Sequence, residues 1–223
     1  MYGDRMLIEP HCRKAAAGID AWLQRAGLPG SQRMVVTVAG EPGAGKSEIS
    51  AALANVLAQR DVDSVIFQQA DYFVYPPKRN DRARREDLQW VGPREVRLSL
   101  MDEQLQSFRD GAGGLKKPLM RAAPDLIDEE RIDEEVIDLF GFKVAIAVGS
   151  YTSLLESADV RVFVDRSDDQ VRARRQKRLR ESSGPDALAE RIYEIEHRII
   201  SAHRTLADLI VESDYSVISA DPK

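Results

Sequence analysis

The chain has 223 residues, 43% of them hydrophobic and 31% charged, which suits one domain with a sizeable core and excludes collagen-like, wholly disordered and disulfide-scaffold classes. Its apolar runs, such as 34–40 and 144–149, are too short to span a bilayer, no secretory signal pattern opens the chain, and the lone Cys12 cannot form an internal disulfide, so a cytoplasmic setting without membrane insertion is expected. A net charge of -5 argues against a general nucleic-acid binder.

Taken in order, residues 10–28 read as an N-terminal helix with its stop. Ala15, Ile19, Trp22, Leu23 and Ala26 share one helical face, and Gly27 and Pro29 end the run. Residues 33–39 read as a buried strand. A glycine-rich turn follows, then a helix over 47–59 with Ile49, Leu53, Val56 and Leu57 facing inward. Residues 64–69 form a second short strand. The stretch 74–94 reads as a long irregular loop bearing Pro76, Pro77 and Pro93, and a loop of that length is usually functional or mobile. A helix is expected over 95–109, ended by glycines at 111, 113 and 114. The acidic stretch 125–138 reads as a solvated helix face. Residues 143–148 and 161–165 read as strands. A long helix over 186–211 carries the apolar stripe Leu188, Ile192, Ile195, Ile199, Ala202, Leu206 and Leu209, which either buries against a sheet or joins a second copy as a homodimer. Residues 214–219 close the chain as a strand. Strands alternating with helices predict a mostly parallel sheet covered on both faces, a three-layer α/β/α fold formed as a single domain over 1–223.

Gly40-Glu41-Pro42-Gly43-Ala44-Gly45-Lys46-Ser47 fits G-x-x-x-x-G-K-[ST] without mismatch and lies between a strand and a helix. Gly40, Gly43, Ala44 and Gly45 supply a backbone that curls its N–H groups toward phosphate oxygens, and the following helix start, with Glu48 in its first turn, adds partial positive charge. Lys46 is expected on the β- and γ-phosphates and Ser47 on Mg²⁺. ATP and Mg²⁺ are therefore the expected ligands. An Asn-Lys-x-Asp guanine reader and a Ser-Gly-Gly transporter signature are both absent, which leaves a small-molecule kinase. Such an enzyme needs a carboxylate near the acceptor hydroxyl. Asp71, directly after the second strand, fills that role as base and as a metal-side group, or serves only as a turn cap. Tyr72, Phe73, Tyr75 and Trp90 are acceptor-pocket candidates or core, with Arg79 and Arg94 from the basic run 78–97 beside them. Arg174 and Arg178 are four residues apart, with Arg175 on the edge of the same helical face. Such a face suits an anion-covering lid over 167–185, with solvated surface as the alternative.

The order of phosphate loop, Asp71-Tyr72-Phe73, a proline-bearing loop and Arg174-Arg175-Gln176-Lys177-Arg178 resembles the uridine kinase, phosphoribulokinase and pantothenate kinase group of P-loop kinases, over about residues 33–180. The resemblance implies Asp71 as catalytic base, Lys46 and Ser47 on phosphate and Mg²⁺, and Arg174, Arg175 and Arg178 as a short Arg-rich lid. It maps the acceptor loop onto 74–93, with Pro118 matching the proline of a later substrate segment. Three departures stand out: Val148-Gly149 where uridine kinases show Glu-Gly, Trp90-Val91-Gly92-Pro93 without the family's His, and Leu179 where an Asp often follows the lid arginines. Tyr151, just past Gly149-Ser150, is expected to take part of the space vacated by the first of these and to contact the acceptor. The expected activity is Mg-ATP-dependent phosphoryl transfer to a hydroxyl of a small-molecule acceptor, as in uridine kinases. The alternatives are a kinase of an already phosphorylated metabolite and a non-catalytic nucleotide-binding protein.

Overall fold

The computed structural model describes residues 8–121, 131–166 and 187–220. Helix α1 (Pro10–Arg25) opens on a proline, whose missing N–H is not needed in a first helical turn, and ends three residues short of the expected 28. Strand β1 (Met34–Gly40) is buried along its whole length because it has a parallel neighbour on each side. Helix α2 (Lys46–Ala58) and strand β2 (Ser64–Gln68) follow, and a 3-10 turn at Gln69–Tyr72 leaves the end of β2. The remaining central strands are β5 (Val144–Val148), β6 (Val160–Val164), β7 (Leu209–Val211) and β8 (Val217–Ser219). The sheet order is β2-β5-β1-β6-β7-β8, parallel throughout except for the antiparallel β7–β8 edge.

The period of two along each strand divides the core. Val36, Val38, Ile146, Val162 and Val164 face α1 and α2, with Ile19, Leu23, Ile49, Leu53 and Leu57 against them. Val35, Ala39, Ala145, Ala147 and Phe163 face the other way, onto α4 (Leu98–Arg109) through Met101, Leu105 and Phe108 and onto α5 (Ala187–Ala202) through Ile200. This is the expected α/β/α arrangement.

Four expectations are corrected. The stretch 74–94 is largely ordered: α3 (Pro77–Glu86) and 3-10 turns at Leu88–Trp90 and Pro93–Glu95 occupy it. Helix α3 buries only Asn80, so no apolar stripe announced it. Helix α4 starts at Leu98 rather than at 95. The acidic stretch is not a helix where the structure describes it. Strand β4 (Arg131–Asp138) pairs antiparallel with β3 (Gly114–Arg121), and from Glu134 to Asp138 exposed and half-buried positions alternate. The last helix ends at Ala202, and Leu206 and Leu209 belong to a 3-10 turn at His203–Leu206 and to β7. The inward side of α5 is taken by its own chain: Ile192 and Ile200 are buried and Ile199 packs on the second core layer. Among the described residues no helix is long and apolar enough to cross a membrane.

Candidate active site

The phosphate loop leaves the central strand β1 at the carboxyl edge of the sheet. Gly43 and Gly45 have φ of 89° and 92°, a left-handed conformation that costs any side chain and lets successive N–H groups turn to the same side. Gly40 sits where a Cβ would lie 2.6 Å from the Val164 carbonyl oxygen of β6. The Ala44 N–H donates to the Glu41 carbonyl at 3.0 Å, and Lys46 Nζ donates to the same oxygen at 2.8 Å, so the lysine lies back along the loop. Ser47 and Glu48 stand in the first turn of α2. The Glu41 carboxylate is buried and pairs with His197 Nδ1 on α5.

Asp71 occupies the 3-10 turn at the end of β2, at the same edge, with β5 between β2 and β1. It is 8% exposed. Lys117 Nζ on β3 donates to its Oδ2 at 2.9 Å and the Met120 N–H donates to its Oδ1 at 3.1 Å. The same ammonium reaches Glu135 Oε1 of β4 at 2.8 Å. Burial pulls the Lys117 pKa down, but hydrogen bonds and charge from these two carboxylates outweigh it, and the net shift is upward. Tyr72 is wholly buried in the second core layer, and its O–H donates to Gln104 Oε1 at 2.6 Å. Burial first, and the neighbouring Asp71 carboxylate second, raise its pKa, so it remains a neutral phenol.

Beyond Asp71 the chain forms a shelf. Residues 72–74 pair with 95–97: Val74 N–H donates to the Glu95 carbonyl at 2.7 Å and Arg97 N–H to the Tyr72 carbonyl at 2.8 Å, around the Phe73–Val96 bridge. Glu95 is fully buried. It accepts from the Gly92 N–H at 2.7 Å, from Arg84 Nε at 2.7 Å and from Asn80 Nδ2. Arg84 also donates to Glu196 Oε1 on α5 at 2.9 Å. Burial disfavours the Arg84 charge, but Glu196 and Glu95 more than compensate and the net shift is upward. On the outer side, the Arg79 guanidinium lies 4.2 Å from the Tyr75 ring centroid and Tyr75 lies 5.4 Å from Trp90, whose indole N–H donates to Asn80 Oδ1 at 2.9 Å.

The structure therefore gathers Gly40, Gly43, Ala44, Gly45, Lys46, Ser47 and Glu48 with Asp71 on one edge, and Tyr75, Arg79 and Trp90 into one surface group. Arg94 is exposed and Phe73 half-buried. Tyr72 and Tyr151 lie in the core rather than on an open wall, and the Tyr151 N–H donates to Gln69 Oε1 at 2.7 Å. Gly149 fits under that same side chain, where a Cβ would lie 2.3 Å from Gln69 Cβ. The expected lid, with Arg174, Arg175 and Arg178, lies outside the described residues. Sequence reading missed Lys117, Glu135, Glu196 and His197. The nearest signal was Pro118, next to Lys117 on β3.

The family profile of the phosphoribulokinase/uridine kinase family matches residues 35–198. A bifunctional alpha-galactosidase/sucrose kinase of Mediterraneibacter gnavus is 25% identical over 197 residues, 83% of this chain and 20% of that protein, so the chain spans a fifth of that relative's length. The phosphoribulokinase of Rhodobacter spheroides superposes with a TM-score of 0.62 at 11% identity, covering 80% of this chain and 69% of that one. The D-glycerate 3-kinase of Cryptococcus neoformans superposes with a TM-score of 0.59 at 14% identity, covering 98% and 100%. With the profile matching well over half of its length, the chain belongs to the phosphoribulokinase/uridine kinase family of small-molecule kinases.

Proposed function

We propose that the protein transfers the γ-phosphoryl group of Mg-ATP to a hydroxyl of a small-molecule acceptor, with Asp71 receiving the hydroxyl proton. The observation that carries this reading is the placement of one buried carboxylate at the carboxyl edge of the parallel sheet that also holds the phosphate loop. In doubly wound sheets that edge is where ligands bind.

The chain's own groups divide the work. The loop N–H groups and the start of α2 hold the phosphates, and Lys46 swings from the Glu41 carbonyl to balance their charge. The Ser47 hydroxyl at the head of α2 suits a small hard cation that takes its other ligands from phosphate oxygens and water. Magnesium, when bound, neutralises charge on the phosphates. Asp71 is better fitted to the acceptor than to the metal, because both of its oxygens already accept N–H groups and one faces an ammonium. Lys117 and the Met120 N–H orient the carboxylate, and Glu135 holds Lys117. The run Arg174, Arg175 and Arg178 is read as the lid that covers the transferring group, on the strength of the family pattern alone.

Phosphoryl transfer from Mg-ATP to a panel of nucleosides, pantothenate, glycerate, neutral sugars and phosphorylated sugars tests this reading. The expected result is turnover with one class, reduced roughly 10²–10⁴-fold in Asp71→Asn with Mg-ATP affinity retained. Full turnover in Asp71→Asn would remove the base assignment. Tight Mg-ATP binding without transfer to any acceptor would favour a nucleotide-binding protein without turnover.

A further inference from the structure

Resting on that kinase reading, a second feature of the shelf defines the acceptor more closely. Several other inward-turned arginines are spent on protein groups, and Arg166 donates from Nη1 to the Asp165 carbonyl and lies over the Tyr215 ring. Arg84 meets two carboxylates, Arg33 donates to the carbonyls of Phe108, Ala112 and Leu139, and Arg161 donates to those of Ser153, Leu155 and Ala158. Arg97 differs. Its Nε and Nη2 are buried and have no hydrogen-bond partner among the described residues. Buried guanidinium nitrogens without partners are costly, and folds retain such groups where something else completes them.

Its position says what that is. Arg97 is tied by its backbone to Tyr72, the residue after Asp71, and its charge acts on the buried Tyr72 phenol together with those of Asp71 and Glu135. Those two carboxylates already share Lys117, and neither gives Arg97 a hydrogen bond. The Arg97 backbone thus pairs with the residue that follows the acceptor's base, and its buried Nε and Nη2 are unspent.

We propose that Arg97 is the anion-binding residue of the acceptor site, so that the acceptor carries a carboxylate or a phosphate in addition to the hydroxyl that is phosphorylated. The planar fork of a guanidinium matches either group.

The test is a calorimetric titration of the full chain saturated with Mg-ADP, which fills the phosphate loop, using inorganic phosphate and, separately, acetate. At least one anion is expected to bind: phosphate preferred indicates a phosphorylated acceptor, acetate preferred a carboxylic acid. Arg97→Gln is expected to weaken that binding at least tenfold, with Arg97→Lys retaining part of it. The melting temperature of Arg97→Gln should equal or exceed that of the wild type, since buried donors without a hydrogen-bond partner have been removed. If neither anion binds the Mg-ADP complex, or if wild type and Arg97→Gln bind alike, the inference is overturned while the kinase reading stands. A marked fall in melting temperature with unchanged anion binding would make Arg97 a structural residue, also against it. Failure of Mg-ADP itself to bind would remove the kinase reading and this inference together.

Discussion

The two ends of the proposed catalytic edge are built from different physics. At the phosphate end, one continuous stretch of eight residues sets the geometry through backbone dihedrals, with Gly43 and Gly45 in left-handed conformations and Gly40 against β6. At the acceptor end, the geometry comes from charged side chains donated by separate segments: Asn80 and Arg84 from α3, Glu95 from a 3-10 turn, Glu196 from α5, and Asp71, Lys117 and Glu135 from three further elements. Helix α5 touches both ends through neighbouring residues, Glu196 on Arg84 and His197 on Glu41. A backbone cradle suits a ligand group that never changes, here a phosphate chain. A side-chain network can be altered residue by residue, which suits the partner that differs between kinases of one fold.

The sharpest way to break this contrast is to remove the centre of the acceptor network. Arg84→Ala would leave Glu95 and Glu196 buried and facing each other without a counter-charge. Breaking a buried pair in this way costs about 3–5 kcal/mol, which for a chain of this size lowers the melting temperature by roughly 10 °C. The acceptor KM should rise while Mg-ATP affinity, set by the loop backbone, stays near wild type. Calorimetry and steady-state kinetics on one preparation read both. A shift of only a degree or two would mean that the network is solvated in practice and that side chains do not define this end.

Gly40→Ala probes the opposite end with a smaller expected effect. A Cβ there meets the Val164 carbonyl at 2.6 Å on a residue whose φ is 141°. Strained backbone of this kind costs on the order of 1–3 kcal/mol. Nucleotide affinity should fall while the Arg84 network is untouched. Unchanged Mg-ATP binding in Gly40→Ala would show that the start of the loop tolerates displacement, against a cradle fixed by its backbone.

The same division explains what the sequence could show. The phosphate loop is legible because all of its determinants are contiguous and each has one physical job. Strands β1, β5 and β6 are legible because parallel neighbours demand continuous apolar runs. Asp71 was found by its place after a strand. Helix α3 was not found, since its residues are polar around the whole circumference and its inward contacts are Asn80 and Arg84 rather than leucines. Strand β4 was hidden for a related reason: its acidic residues read as solvated helix, yet Glu135 is the partner of Lys117 across the hairpin. Lys117, Glu135 and Glu196 carry no signal until the fold brings distant segments into contact, Lys117 with Asp71, 46 residues away, and Glu196 with Arg84, 112 residues away, since charge complementarity has no period along a chain.

The subtlest difference between the two layers of the core is in their response to acid. His203, at the head of the turn before β7, is 8% exposed within the acceptor-side layer. Its Nδ1 lies 3.0 Å from Ser153 Oγ and its ring stands edge-on to Tyr151. Burial lowers its pKa below the usual 6.5, against a smaller opposing contribution from a hydrogen bond with the Ser150 backbone. The folded protein therefore takes up this proton less readily than the unfolded chain. Stability from this group is complete above about pH 6.5 and is lost as pH falls from there through the lower folded value. His11 and His197 are common to wild type and variant, so comparing melting temperatures of wild type and His203→Gln between pH 7.5 and 5.5 isolates the one group. The wild-type curve should fall more steeply on the acid side, by a small margin because the ring is not wholly shut off from water. Parallel curves would mean that His203 titrates alike in both states. The acceptor-side layer would then be no more sensitive to mild acid than the layer beneath the phosphate loop.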